Sequence, residues 1–190
     1  MDDATQATLT RIFIGLKINP EIADQLASLA ATLKETPARR VAAPDIHLTL
    51  VPPWQERSTD QAIGKLRQVA AKFMPFTLKL QHLGYGPQPR RPTLLWVDCA
   101  PTNEIAALQA ALMQTFGQQD SRPFRPHVTL ARIRASGRNC CRRHPIDKDL
   151  EFEQAVQTVE LFQSPPPGAT GYQILASVEL GGSNTPSGDG

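Results

Sequence analysis

Two copies of one four-residue pattern constrain this chain more than any other feature. The pattern is His-x-Thr-Leu, at His47-Leu48-Thr49-Leu50 and again 80 positions later at His127-Val128-Thr129-Leu130. Each copy sits in an alternating run that reads as a strand, DIHLTLV (45–51) and PHVTLARI (126–133). Other elements repeat at nearly the same offset. RIFIGLK (11–17) and LLWVD (94–98) read as strands. Helices are predicted from Pro20, behind the N-cap Asn19, and after the N-cap Thr102. A shared spacing of close to 80 across three elements predicts two related halves, each β-α-β with additions, and a fold class of α+β or mixed α/β.

The remaining signals fit that frame. Ile22, Leu26, Leu29 and Leu33 give the first helix its apolar face, and Ile105, Leu108, Leu112 and Phe116 give a later one, which Gly117 stops. Between them, Ser58 with Gln61 forms a capping box before Ile63, Leu66, Val69 and Phe73. FTLKLQH (76–82) alternates as a strand, and two more strands are expected near 155–162 and 172–180. In the last of these Tyr172, Ile174, Ala176, Val178 and Leu180 share a face. The junction falls in GYGPQPRRP (84–92), so residues 11–180 are expected to form a single domain with lobes near 11–88 and 89–180. Residues 1–10 are expected to be loose and 181–190 to be a disordered tail. Seventeen prolines exclude a bundle of long helices.

No apolar run approaches the ~18 residues of a membrane span, and from the acidic, polar start MDDATQATLTR no secretory signal is expected. Three cysteines, Cys99, Cys140 and Cys141, do not make a disulfide framework, so a reducing, cytoplasmic compartment is expected. A monomer is expected.

Side chains two apart on a strand share a face, so each His-x-Thr presents an imidazole beside a hydroxyl. Leu48, Leu50, Val128 and Leu130 then face the core. A pseudo-twofold relating the halves would bring both pairs to one cleft. Two imidazoles suit displacement at a phosphodiester: one removes a proton from the nucleophile, its twin supplies one to the leaving oxygen. The threonine hydroxyls can donate to phosphoryl oxygens. The competing readings are two satisfied β-face histidines or a metal site. No carboxylate or thiol stands at ligand spacing beside either histidine, and no metal or cofactor is expected.

HLTL and FRPHVTLAR, with RIFIGL and RRPTLLWV, resemble the two-histidine (2H) phosphoesterases, above all the RNA 2′,3′-cyclic phosphodiesterases, historically called 2′-5′ RNA ligases. The resemblance covers about residues 11–180. It implies a bilobal fold of two mainly antiparallel sheets flanked by outer helices around a central cleft. It also implies hydrolysis of 2′,3′-cyclic phosphate ends of RNA, or of small cyclic nucleotides, to 2′-phosphomonoesters. Carried over by position, His47 is the proton donor, His127 the proton acceptor, and Thr49 and Thr129 hold the phosphate. Arg132 matches a family position that contacts phosphate. The chain departs from the family pattern at Val51-Pro52-Pro53-Trp54 and at Ser164-Pro165-Pro166-Pro167-Gly168. The alternative functions are RNA ligation by the same histidines and a nucleotide- or RNA-binding module without turnover.

The net charge of +2 conceals an asymmetry. Residues 121–146 hold seven arginines and no acid, while the other 164 residues hold 13 basic and 18 acidic groups and sum to −5. The strip reads as an RNA-backbone track or as a solvated basic loop. Arg134 should share the face of Arg132, and Arg125 is read as a cleft residue that contacts phosphate or as one that supports the residues that do. His82 reads as a core or edge histidine and Trp54 as loop packing or a base platform. Cys140, Cys141 and His144 make poor chelate geometry, and the arginines around the two thiols would favour thiolates.

Overall fold

The computed structural model describes residues 9–32, 37–88, 90–167 and 169–181. Most of the expected loose N-terminus and C-terminal tail, and Leu33, lie outside the described residues.

The first strand, β1 (Thr10–Lys17), carries five consecutive buried residues. Asn19 accepts the Glu21 amide and Pro20 opens helix α1 (Pro20–Ala31), which buries Ile22, Ala23 and Leu26. A three-residue strand, β2 (Ala38–Arg40), and a 3-10 turn, Ala43–Asp45, lead into β3 (His47–Glu56). Ser58 caps α2 (Thr59–Ala70), and β4 (Phe76–Gly86) and β5 (Leu94–Cys99) follow. Thr102 caps α3 (Asn103–Thr115), and the chain ends in β6 (His127–Ile133), α4 (Arg138–Arg143), β7 (Asp147–Val156), β8 (Thr158–Gln163) and β9 (Gln173–Glu179).

Among the described residues nine strands form an antiparallel sheet of order β7-β4-β5-β6-β3-β1-β8-β9, with β2 on β6. It is two four-stranded halves, β7-β4-β5-β6 and β3-β1-β8-β9, each the mirror of the other in strand order. One residue pair, Leu48 with Val128, joins them. These are the middle residues of the two His-x-Thr motifs, so the pseudo-twofold passes between them. The sheet halves do not follow the sequence division at 88/89. β4 crosses to the half containing β5 and β6, while β8 and β9 return to complete the half built on β1. Among the described residues no helix is long and apolar enough to cross a membrane.

Four local expectations change. β3 runs on through Pro52 and Pro53, which fall in the irregularity between the Ile14–Val51 and Ile12–Trp54 pairs, where a missing amide costs no ladder bond. β4 extends to Gly86 and takes up the start of the expected junction. Arg134 lies beyond the end of β6 and caps a 3-10 turn, so it does not share a strand face with Arg132. A register shift at Leu161/Phe162 breaks the alternation of β9, which leaves Ile174 exposed while Val178 and Leu180 are buried.

Candidate active site

The alternation of β3 and β6 positions the site. Leu48, Leu50, Val128 and Leu130 are at most 1% exposed, in the core. His47, Thr49, His127 and Thr129 take the opposite face and line one cavity of about 400 Å³.

The two imidazoles are held identically. His47 Nδ1 donates to the carbonyl of Asp45 at 2.7 Å, and His127 Nδ1 donates to the carbonyl of Arg125 at 2.7 Å. Each acceptor is the residue two positions upstream. A carbonyl only accepts, so the proton is on Nδ1 and a neutral ring presents a bare Nε2.

Their surroundings differ. His47 is walled by Phe13, Tyr172 and Phe162, with ring centroids 4.8, 5.0 and 5.4 Å away. Burial holds its pKa below the ordinary histidine value, the Asp45 carbonyl and carboxylate oppose this, and the Arg132 charge adds to it. His127 packs against Trp96 at 4.4 Å. Burial lowers its pKa too, against the Arg125 carbonyl and the Asp98 carboxylate. Arg132 lines the cavity with both histidines, yet its charge bears on His47.

Arg125 is not brought into this cavity. Its guanidinium makes two 2.8 Å hydrogen bonds to Asp98 and lies 4.7 Å from the Trp96 ring centroid. It lines an adjoining, more apolar cavity of about 430 Å³ with Phe124, Pro52 and Pro53, which shares Thr49 and His127 with the first. Its carbonyl, not its side chain, serves His127.

The arginine strip is likewise not a continuous free surface. Arg122 pairs with Asp120 at 2.8 Å and Arg125 with Asp98, both acids lying outside 121–146. Arg142 bonds Asn139, on a helix that does not line the cavity. Cys141 is buried and burial pushes its thiol pKa up, which reverses the expected thiolate. Among the described residues no group of three or more His, Cys, Asp or Glu is placed to hold a metal ion. His82 lies on β4, away from the cavity and 3.3 Å from both Asp147 and Asp149 of the edge strand β7. Trp54 packs against Phe116 and donates to Glu56 at 3.1 Å, the loop-packing role.

Sequence reasoning assigned no role to several residues of the cavity, Arg39, Arg40, Asp45 and Tyr172 among them. Arg39 comes from the short β2. Tyr172 edges onto His47, and Asp45 fixes it by accepting the Tyr172 amide at 2.9 Å. The RR dipeptide and the position of Asp45 two residues before His47 were the available signals.

Comparison with known proteins agrees with this geometry. A family model described as the 2′-5′ RNA ligase superfamily matches residues 18–138. An RNA 2′,3′-cyclic phosphodiesterase of Escherichia coli (strain K12) is 32% identical over 135 residues, covering 64% of this chain and 71% of that protein. Its counterpart in Aquifex aeolicus (strain VF5) is 31% identical over 104 residues, 50% of this chain and 54% of that protein. The solved structure of TT0787 of Thermus thermophilus superposes with a TM-score of 0.76 at 21% identity, covering 90% of this chain and 98% of that one, and shares the fold. With a family model spanning well over half its length and the paired His-x-Thr strands meeting in one cavity, the chain belongs to the 2′-5′ RNA ligase superfamily of two-histidine phosphoesterases.

Proposed function

We propose that the cavity opens 2′,3′-cyclic phosphate ends of RNA or nucleotides with water, leaving a 2′-phosphomonoester. The observation that carries this reading is the pair of imidazoles with both Nδ1 protons tied to main-chain carbonyls, so that two Nε2 atoms face one cavity. His127 Nε2 takes a proton from water as its oxygen attacks phosphorus. The bond from phosphorus to the 3′ oxygen breaks, and protonated His47 supplies that oxygen's proton through Nε2–H. His47 ends neutral and His127 charged, and exchange with solvent resets both. Thr49 and Thr129 donate to the non-bridging oxygens, and Arg132 balances the phosphate charge. Burial alone would discourage a charged His47, so the bound phosphate anion supplies the opposite charge that keeps its proton on.

The names of the E. coli and Aquifex relatives support this reaction. Residues 11–180 act as one domain in it, because the cavity is lined from β2, β3 and β6 and from the connection between β8 and β9. A reducing, cytoplasmic setting suits the three cysteines, none of which forms a disulfide in the structure. The test is turnover of adenosine 2′,3′-cyclic phosphate in EDTA. Wild type is expected to hydrolyse it, and His47→Ala and His127→Ala each to lose about 10²–10⁴-fold. Full activity in either variant would contradict the assignment.

A further inference from the structure

β2 places a second guanidinium beside Arg132. In the antiparallel β2–β6 pair, Arg39 stands directly opposite Arg132. Directly opposed residues share a face, with Cα atoms about 4.5–5.5 Å apart, and two like charges there repel. Backbone hydrogen bonds fix this register. Val41 donates to the Leu130 carbonyl at 2.8 Å and Arg134 to the Pro37 carbonyl at 3.0 Å, closing the pair at both ends. Arg40, by contrast, is taken up by the Ala30 carbonyl at 3.0 Å. Among the described residues neither Arg39 nor Arg132 has a carboxylate within ion-pair distance, and Asp45, the acid lining the cavity, already accepts from Tyr172.

A cyclic phosphodiester carries a single negative charge, which Arg132 alone can balance. Arg39 is surplus to that need, and a further anion placed between the two exposed guanidiniums would offset their mutual repulsion. Both arginines line the cavity that holds His47 and His127.

We propose that Arg39, beside Arg132, forms a subsite for a second phosphate of the substrate, the one on the 5′ side of the nucleoside bearing the cyclic phosphate. This inference rests on the function proposed above. Two sources share the chemistry: the next diester of an RNA chain, or the 5′-phosphate of a small nucleotide.

The experiment compares kcat/KM for three substrates in wild type, Arg39→Gln and Arg39→Lys. They are adenosine 2′,3′-cyclic phosphate, its 5′-phosphorylated form, and the adenylyl dinucleotide ending in a 2′,3′-cyclic phosphate. Wild type is expected to prefer a two-phosphate substrate by about tenfold or more, the factor of one charge-assisted hydrogen bond. Arg39→Gln should bring that ratio close to one, and Arg39→Lys should restore part of it. Preference for both two-phosphate compounds identifies any 5′-phosphate as the ligand, and preference for the dinucleotide alone identifies an RNA chain. A wild-type ratio near one, or an equal loss on all three substrates in Arg39→Gln, overturns the subsite. Calorimetric binding of adenosine 2′-phosphate against adenosine 2′,5′-bisphosphate reads the subsite without turnover. Tighter bisphosphate binding that Arg39→Gln abolishes supports it even if no substrate is hydrolysed, whereas equal affinities overturn it. Absence of hydrolysis alone counts against the reaction.

Discussion

Leu48 faces Val128 across the one paired position between β3 and β6, and each is fully buried. The contact lies between the two histidine–threonine pairs, so it sets their separation. Leu48→Ala is expected to cost about 2–5 kcal/mol of stability, the range for a large-to-small core change. Urea unfolding checks the cost, and the activity of the folded fraction should fall as well, because the motifs lose their common support.

Gly15 pairs with Thr49, and a Cβ there would lie 2.5 Å from the Leu48 carbonyl oxygen. Gly15→Ala must therefore move β1 or β3 at the motif itself. The expected outcome is a destabilisation of about 1–3 kcal/mol by overpacking, with a fall in kcat, measured by thermal unfolding and steady-state kinetics.

Both histidine pKa values are lowered, first of all by burial. In the unfolded chain they return to about 6.5, so between the folded value and 6.5 the unfolded state binds more protons. Their contribution to stability is complete above about pH 6.5 and is lost as pH falls through the folded values. For catalysis one ring must be charged and the other neutral. The bell in kcat/KM is therefore expected to centre below about pH 6.5. A centre well above that value would contradict the burial argument. Histidine resonances followed by NMR titration give the two pKa values directly.

Arg132 and Arg125 should separate cleanly. Arg132→Ala removes a cation from the cavity and is expected to lower kcat/KM by about 10–100-fold, the range of a hydrogen bond to a charged group. Arg125→Ala breaks a partly exposed pair with Asp98, worth under about 1 kcal/mol, and keeps the carbonyl that holds His127. Its effect on kcat/KM should stay within about fivefold. Equal losses in the two variants would show that the Arg125 side chain meets substrate.

Cys99 is buried and its thiol pKa is pushed up to about 12 by that burial and by the Asp98 charge. Cys141 is shifted upward too. Neither is expected to react with iodoacetamide at pH 8 in the folded protein, as mass spectrometry of the labelled chain would show.

Much of this architecture was legible because it rests on local signals. The alternating His-x-Thr strands, the caps Asn19, Ser58 and Thr102, and the offset between halves all speak through neighbours in sequence. What escaped depends on contacts between distant residues. β2 is three residues long with two arginines, too short and too polar to show a period. β7 is an edge strand that opens on three exposed residues, Asp147-Lys148-Asp149, before its alternation begins at Leu150. The link from Asp45 to Tyr172 spans 127 positions. The arginine strip looked uniform only because its partners Asp98 and Asp120 lie outside it.

The most direct test of the two proton-transfer roles is the position of phosphate in the product of adenosine 2′,3′-cyclic phosphate hydrolysis, read by phosphorus NMR. With His47 protonating the 3′ oxygen and His127 activating water, the product is adenosine 2′-phosphate. Adenosine 3′-phosphate as the main product would contradict the roles assigned to His47 and His127.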